Sequence, residues 1–453
     1  MVHHEVEKIV IDELRRLNAL RVAKAGLQSR TARDMATPDR NYRGSRLAMW
    51  FAIALLAGCA SLGPQLPMPA TDDVESESLA FAVRTLGADG EFKLLSSTEV
   101  ARNLQAALGD RPLTVLALSS GGASGAFGAG ALAGLTTNGM RPEFIVVTGV
   151  SSGALVAPFA FLGPSWDKQM TEIFTDGETD GLLQSRGLGA LFGSSLYGGG
   201  PLRRLIERYA DDAMVAAIAK QAAQGRLLLV ATTDFDTGEP VIWDLGSIAL
   251  HGDKDAKPLI QTLLLASASV PGMLPPVAVG FRSQGKMRAE THVDGGVTLP
   301  FFIAPAPEDL PHAAAGGPHS TIVRVIIDGP LRNLPHRTHA NALSIFGRSL
   351  SAGLSHVTRT QLESTVEAIR RQGIPVEYAA IPASYPLRGA FDFDPDAQRS
   401  LFEFAASCAA SDRLWIRPPL VGGEAVSEQP SASARPTCPA DDSFMGHLAA
   451  LKN

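Results

Sequence analysis

Gly149-Val150-Ser151-Ser152-Gly153 follows the apolar run Phe144-Ile145-Val146-Val147-Thr148 and precedes Ala154-Leu155-Val156-Ala157. The order reads as a strand, a sharp turn with a serine at its tip, and a helix. Small residues suit that turn, because a strained strand-to-helix elbow leaves no room for side chains beside an exposed hydroxyl. The chemistry this permits is attack by Ser151 on an acyl carbonyl, with Gly149 and Gly153 shaping the elbow. The plainer alternative is a turn serine, since Gly-x-Ser-x-Gly arises readily in a chain with 44 glycines.

Two further segments could complete such a site. Leu113-Thr114-Val115-Leu116-Ala117-Leu118 reads as a buried parallel strand and runs into Ser119-Ser120-Gly121-Gly122-Ala123-Ser124-Gly125-Ala126, then into a small-residue helix through about Leu135. Glycines at a strand-to-helix junction leave backbone N–H groups bare, and the helix start adds partial positive charge. The N–H groups of Gly121, Gly122, Ala123 and Ser124 could therefore hold an oxyanion, at roughly 3–4 kcal/mol per donor. Thr291-His292-Val293-Asp294-Gly295-Gly296 puts an aspartate at the end of a short strand. Alone it is a turn; beside the other two it supplies a base.

The same glycines invite nucleotide-binding readings, which fail on their partners. Gly128-Ala129-Gly130-Ala131-Leu132-Ala133 fits a dinucleotide fingerprint, but the next strand ends in Thr148-Gly149 with no carboxylate, and no Gly-Lys-Ser/Thr follows. Gly128, Gly130 and Gly134 are expected to allow close helix–sheet packing instead.

In this order the three pieces resemble the patatin-like phospholipase family, whose pattern is a glycine-rich oxyanion loop, Gly-x-Ser-x-Gly, then Asp-Gly-Gly or Asp-Gly-Ala. Ala231-Thr232-Thr233-Asp234-Phe235-Asp236-Thr237-Gly238 and Ala266–Pro276 are similar to its connecting stretches, so the resemblance spans roughly Leu113 to Asp328. The resemblance implies a three-layer α/β fold with a mainly parallel central sheet and helices on both faces. It also implies a Ser151–Asp294 dyad without histidine, acting through an acyl-enzyme on membrane lipid or other acyl esters, without a cofactor. The chain departs from the pattern at Ser120, which replaces the first glycine, and at Ser124, which replaces a basic residue.

A Ser-His-Asp triad is the rival arrangement. His312, His319, His336 and His339 fall in Pro-rich loops and read as exposed. His356 opens a helix as a surface position, and His292 reads as structural. A binding lipoprotein that has lost activity, and an esterase of small soluble esters, remain as alternative functions.

The elements that must position these residues alternate strand and helix. Strands are expected at Leu113–Leu118, Phe144–Thr148, Leu227–Thr232 and Ile322–Ile327, nearly continuous in apolar character, as in a parallel sheet covered on both faces. His356–Arg371 reads as an amphipathic helix resting on Val357, Leu362, Val366 and Ile369, and Leu182–Pro201 as a surface loop. The expected organisation is an extension and signal over 1–58, a tether and leading segment over 59–110, a hydrolase domain over 111–400, and a cap or tail over 401–453 with Trp415 packed inward.

Composition is that of a globular enzyme, with 45% hydrophobic residues and a net charge of −6. That charge, with no basic cluster, argues against a nucleic-acid partner, and no Cys/His spacing suits a metal. Arg43 and Arg46 precede Leu47–Ala57, an apolar stretch too short to span a bilayer, and then Leu56-Ala57-Gly58-Cys59. This resembles a bacterial lipobox with Cys59 lipidated, the alternative being a secretory signal cut nearby. The polar stretch before it suggests that translation begins at Met35. Alanine at position 60, where some bacteria use aspartate for inner-membrane retention, favours the outer membrane, facing the periplasm. Lipidation of Cys59 would leave Cys408 and Cys438, which could pair in an oxidising compartment.

Overall fold

The computed structural model describes residues 82–109, 111–182, 195–311, 320–332, 342–389, 391–418 and 436–441, all within one compact unit, Leu66–Asn453. The chain enters through β1 (Val83–Leu86), β2 (Phe92–Leu95) and α1 (Ser97–Leu108). It continues through β3 (Leu113–Leu118), α2 (Gly125–Thr137), β4 (Val146–Val150), α3 (Ser152–Leu162) and α4 (Asp167–Thr175). Next come α5 (Gly200–Tyr209), α6 (Asp212–Ala222), β5 (Leu227–Asp234), β6 (Pro240–Asp244), α7 (Leu245–His251) and α8 (Ala256–Ser267). The hairpin β7 (Val277–Ser283) and β8 (Lys286–Asp294) leads to β9 (Thr321–Ile327), α9 (Ala342–Arg371), β10 (Val376–Ala380) and α10 (Pro395–Ala410).

One mixed sheet organises these elements, in the order β10-β9-β3-β4-β5-β6-β1-β2, with β8 joined to β5 and β7 to β8. The five strands from β10 to β5 are all parallel. They are the apolar runs, as expected of strands covered on both faces. Their side chains divide by the two-residue period. Leu116, Leu118, Val147, Leu228 and Val230 join the core formed with α2, α3 and α10. Val115, Ala117, Val146 and Val323 face the other way, toward Leu104 of α1 and Ile369 of α9. The architecture is therefore α/β with helices on both faces.

Helix α1 begins with a capping box, in which Ser96 and Glu99 satisfy each other's backbone N–H groups. Helix α9 is longer than the amphipathic segment expected at 356–371. Its buried stripe is Leu362, Val366 and Ile369, while Val357 is 50% exposed. Five residues before Leu362, Val357 sits off the i, i+4, i+7 face.

The glycines of α2 serve a different contact from the one expected. A Cβ on Gly130 would lie 2.1 Å from the Phe402 carbonyl oxygen, and one on Gly134 2.3 Å from that of Ala406. They let α2 press on α10, a helix–helix contact and not a helix–sheet one. Gly128 instead makes room for the Asp328 carboxyl, 3.0 Å from its would-be Cβ.

The boundary expected at 400/401 falls inside α10, so the start of the expected cap is continuous with the main domain. Trp415 is buried, with the Arg324 guanidinium 5.7 Å from its ring centroid. Cys408 near the end of α10 and Cys438 form a disulfide. Among the described residues no helix is long and apolar enough to cross a membrane.

Candidate active site

Strand register brings the separated sequence segments together. Leu118 of β3 pairs with Gly149 of β4 on one side and Ile326 of β9 on the other. The glycine-rich loop, the serine turn and Asp328 therefore leave the sheet at the same end, the C-terminal end of the parallel strands. Val150 of β4 pairs in parallel with Ala231 of β5, and Asp294 of β8 pairs antiparallel with the next residue, Thr232. Since β6 holds the opposite edge of β5 across Ala231 and Thr232, β4 and β8 share one edge and meet end to end. Ser151 follows Val150, so it arrives at Asp294.

The Ser151 hydroxyl donates to Asp294 Oδ2 at 2.5 Å, with Ser151 4% and Asp294 3% exposed. Ser151 has φ 56° and ψ −121°, a left-handed conformation that costs a non-glycine residue on the order of 1–3 kcal/mol. The elbow glycines make it possible. A Cβ on Gly149 would lie 2.6 Å from the Gly153 carbonyl oxygen, and one on Gly153 2.5 Å from that of Leu118. The Ser151 N–H donates to Ser267 Oγ (3.0 Å), whose hydroxyl donates to the Ala231 carbonyl (2.7 Å). Ser267, at the end of α8, thus ties the strained turn to β5. It lies in the stretch Ala266–Pro276 noted above, but nothing in the local sequence marks its partner.

Asp294 is held from several sides. Its Oδ1 accepts from Gly296 N–H (2.7 Å), its N–H donates to the Ser269 carbonyl (2.9 Å), and its carbonyl accepts from Thr233 Oγ1 (2.9 Å). Burial pushes the carboxyl up to about 7, against the smaller opposing pull of the hydrogen bonds from Ser151 and Gly296. A carboxylate with a value near neutrality is a competent proton acceptor for a hydroxyl it already touches.

The glycine-rich loop turns through a short 3₁₀ segment, Gly122–Ser124, with Gly122 at φ 58°. Ser124 N–H donates to the Gly121 carbonyl at 3.1 Å. Of the four donors expected, Ser124 is therefore already engaged within the turn, which leaves Gly121, Gly122 and Ala123 as the backbone donors to consider. Ser120, the departure from the family pattern, packs against Gly296: a Cβ there would lie 2.9 Å from Ser120 Cβ. The buried Ser124 opens α2.

Two residues that sequence reasoning missed support this loop from the C-terminal third. Asp328 Oδ1 accepts from Gly128 N–H (2.9 Å), and a Cβ on Gly121 would lie 2.2 Å from the Asp328 carbonyl oxygen. Burial holds the Asp328 carboxyl well above the usual carboxylate range, which favours its neutral form beneath the loop. Gln398 of α10 donates to the Ala123 carbonyl at 3.3 Å. Neither carries a local signature, since each acts across more than 190 residues of chain.

The histidines are accounted for as follows. His292 is buried, with Nδ1 3.0 Å from Thr232 Oγ1 and Nε2 3.1 Å from Glu290 Oε2. Burial pushes Glu290 up, but hydrogen bonds from His292 and Arg84 outweigh it and hold that carboxyl at about 2. His292 thus belongs to a cluster joining β1, β5 and β8. His356 is exposed on α9 beside Arg359. His312, His319, His336, His339 and Cys59 lie outside the described residues, as does 183–194 of the expected loop.

Residues 116–306 match the family model for patatin-like phospholipases. This part of the chain is a patatin-like phospholipase domain. It contains the loop, Ser151 and Asp294, whereas Asp328, Gln398 and the disulfide lie beyond the matched segment. The crystal structure of VipD from Legionella pneumophila is similar at 9% sequence identity, covering 73% of this chain and 70% of that chain, with a TM-score of 0.30. No curated protein sequence matches the chain. A patatin-like domain over these residues implies an esterase and phospholipase type of hydrolase domain.

A narrow cavity of about 60 Å³ flanks the site in this domain. Gly122 of the loop and Ser152, next to Ser151, form part of its wall; Leu155, Phe159, Phe174 and Leu205 give it an apolar lining.

Proposed function

We propose that the protein is a lipid acyl hydrolase that works through a Ser151–Asp294 dyad and an acyl-enzyme. The observation that carries this reading is the 2.5 Å contact between Ser151 Oγ and Asp294 Oδ2 in a buried site. The apolar lining beside it, Leu155, Phe159, Phe174 and Leu205, is in keeping with an acyl group as the one transferred.

In the first half-reaction Ser151 Oγ attacks the ester carbonyl carbon while its proton passes to Asp294 Oδ2. The carbonyl oxygen gains the charge and is met by N–H groups of Gly121, Gly122 and Ala123. Collapse breaks the bond to the alcohol, which takes the proton from Asp294 and leaves. Water then gives a proton to Asp294 and attacks the acyl-Ser151 carbonyl. When that intermediate collapses, Ser151 regains its proton and the carboxylic acid departs. No histidine is needed, because the burial of Asp294 raises its basicity.

The test is hydrolysis of a p-nitrophenyl acyl ester and of phospholipid vesicles by the protein and by Ser151→Ala and Asp294→Asn. Each substitution is expected to lower kcat on the order of 10³-fold or more with folding retained. Activity surviving in either variant would remove that residue from the dyad.

We also propose that the chain is lipid-anchored through Cys59 and resides in the bacterial cell envelope, at the outer membrane facing the periplasm. Support comes from the Leu56-Ala57-Gly58-Cys59 pattern and from a disulfide suited to an oxidising compartment.

A further inference from the structure

Asp328 meets the glycine-rich loop at three places along its length. Its N–H donates to Ser119 Oγ (2.8 Å), and that hydroxyl donates to the Ser120 carbonyl (2.9 Å). Its carbonyl oxygen and its Cβ close on Gly121 so tightly that a Cβ there would lie 2.2 and 2.4 Å from them. Its Oδ1 accepts from Gly128 N–H at 2.9 Å. The backbone donors open to an oxyanion, those of Gly121, Gly122 and Ala123, all fall within this pinned stretch. Strands β9 and β4 flank β3, so Asp328, which follows β9, braces the loop from the side opposite Ser151.

A carboxyl is a costly side chain to place there. Asp328 is 1% exposed, and its Oδ2 has no hydrogen-bond partner among the described residues, which leaves a desolvation penalty uncompensated. The contacts with Ser119 and Gly121 use only its backbone and Cβ, which an alanine also has. What the carboxyl adds is the bond to Gly128 in the first turn of α2, a helix whose N-cap residue, Ser124, makes no side-chain cap bond. That bond fixes where the turn begins, and so where the loop ends. Burial favours the neutral carboxyl, which leaves the positive end of α2 to a developing oxyanion, whereas a carboxylate would compete for it.

Resting on the hydrolase reading, we propose that Asp328 is a positioning residue for acyl transfer, whose carboxyl, through Gly128, holds the Gly121, Gly122 and Ala123 N–H groups in line with the oxyanion formed at Ser151. It touches neither the substrate nor the reacting atoms. Its effect is therefore on the transition state, where the oxyanion exists, and not on the binding of the ester. A displacement of about 1 Å in such donors costs on the order of 10²-fold in rate.

The experiment measures kcat and KM for p-nitrophenyl octanoate with the full chain, Asp328→Ala and Asp328→Asn, each well below its own melting temperature. Alanine keeps the Cβ and carbonyl that press on Gly121 and removes only the carboxyl. The expected result is a kcat lower by about 10- to 100-fold in Asp328→Ala, with KM unchanged. Asparagine, whose amide oxygen can accept from Gly128 N–H, should bring kcat back to within about threefold of the unaltered protein. An unchanged kcat in the alanine variant would overturn the proposal, as would a loss carried by KM. An asparagine variant as slow as the alanine one would also contradict it, because the bond to Gly128 would then not be what matters. If Asp328→Ala does not fold, Asp328→Ser takes its place, since its shorter side chain does not reach Gly128; a fully active serine variant ends the proposal. If the unaltered protein hydrolyses no ester, the hydrolase reading fails and this proposal with it. Hydrolysis that survives Asp328→Ala at full rate is the failure of this proposal alone.

Discussion

A serine and an aspartate hold the account together, and both derive their chemistry from burial. Exposed, an aspartate is too weak a base to take a serine proton; at about 7, Asp294 is poised to do so. The base works when ionised, so acylation should proceed above about 7 and fade as pH falls, roughly tenfold for each unit below. Stability runs the other way. The folded value lies above the unfolded one, so stability from the neutral carboxyl is present at acid pH and lost as pH rises through about 7. Asp294→Asn removes this dependence, and its melting temperature relative to the unaltered protein should be higher at about pH 8 than at about pH 5. A pre-steady-state rate independent of pH across that range, or a gap that narrows with rising pH, would contradict the assignment. At this scale the sequence was readable where chemistry leaves a local mark. The elbow and the Asp-Gly-Gly turn are such marks. Ser267, Asp328 and Gln398 are not, because an ordinary serine, aspartate or glutamine acquires its role only from a partner far along the chain.

Among the elements, the edge of β5 decides whether there is a site. Strand β4 occupies that edge up to Ala231, and β8 takes it from Thr232, so a slip of either strand would part Ser151 from Asp294. Four of the five parallel strands were legible because burial on both faces writes a continuous apolar run; β10, with Glu377 inside a five-residue strand, was not. Strand β8 was legible only at its end, Thr291 to Asp294, because these last four residues are buried while Lys286 to Glu290 are exposed or half-buried. Strand β7 did leave a signal: Val277, Val279 and Phe281 alternate with exposed residues. The purpose of Gly130 and Gly134 was misread because α10, their partner, lies far away in sequence. A methyl group on Gly130 would come 2.1 Å from a backbone oxygen of α10, which no rotamer change can relieve. Gly130→Ala should destabilise the fold by about 1–3 kcal/mol despite alanine's better helix propensity. A melting temperature at or above that of the unaltered protein would show that α2 and α10 can separate at no cost.

At the level of the whole molecule, the matched segment ends at 306, yet the support of the loop continues beyond it. Asp328 sits under the loop, α10 packs on α2, and the Cys408–Cys438 disulfide closes a loop of sequence separation 30, contributing roughly 3–4 kcal/mol in the chain-entropy model. The leading segment likewise supplies β1, β2 and α1 to the fold, with Arg84 paired to Glu290 beside His292. The overall α/β class followed from the alternation of apolar runs and helices. The contribution of the two ends did not, because their strands are short and their contacts non-local. For anchoring, metabolic labelling with an alkynyl palmitate in a bacterial host should mark the protein and be lost in Cys59→Ser. Label retained in that variant would count against lipidation at this cysteine.

The central claim is that Ser151 is a nucleophile activated by Asp294. Its most direct test is reaction of the protein with a fluorophosphonate, followed by peptide mapping. The account predicts one adduct, on Ser151, absent in Asp294→Asn and retained when His312, His319, His336, His339 or His356 is replaced in turn. An adduct on another serine, or one on Ser151 that persists without Asp294 and disappears with a histidine, would contradict it.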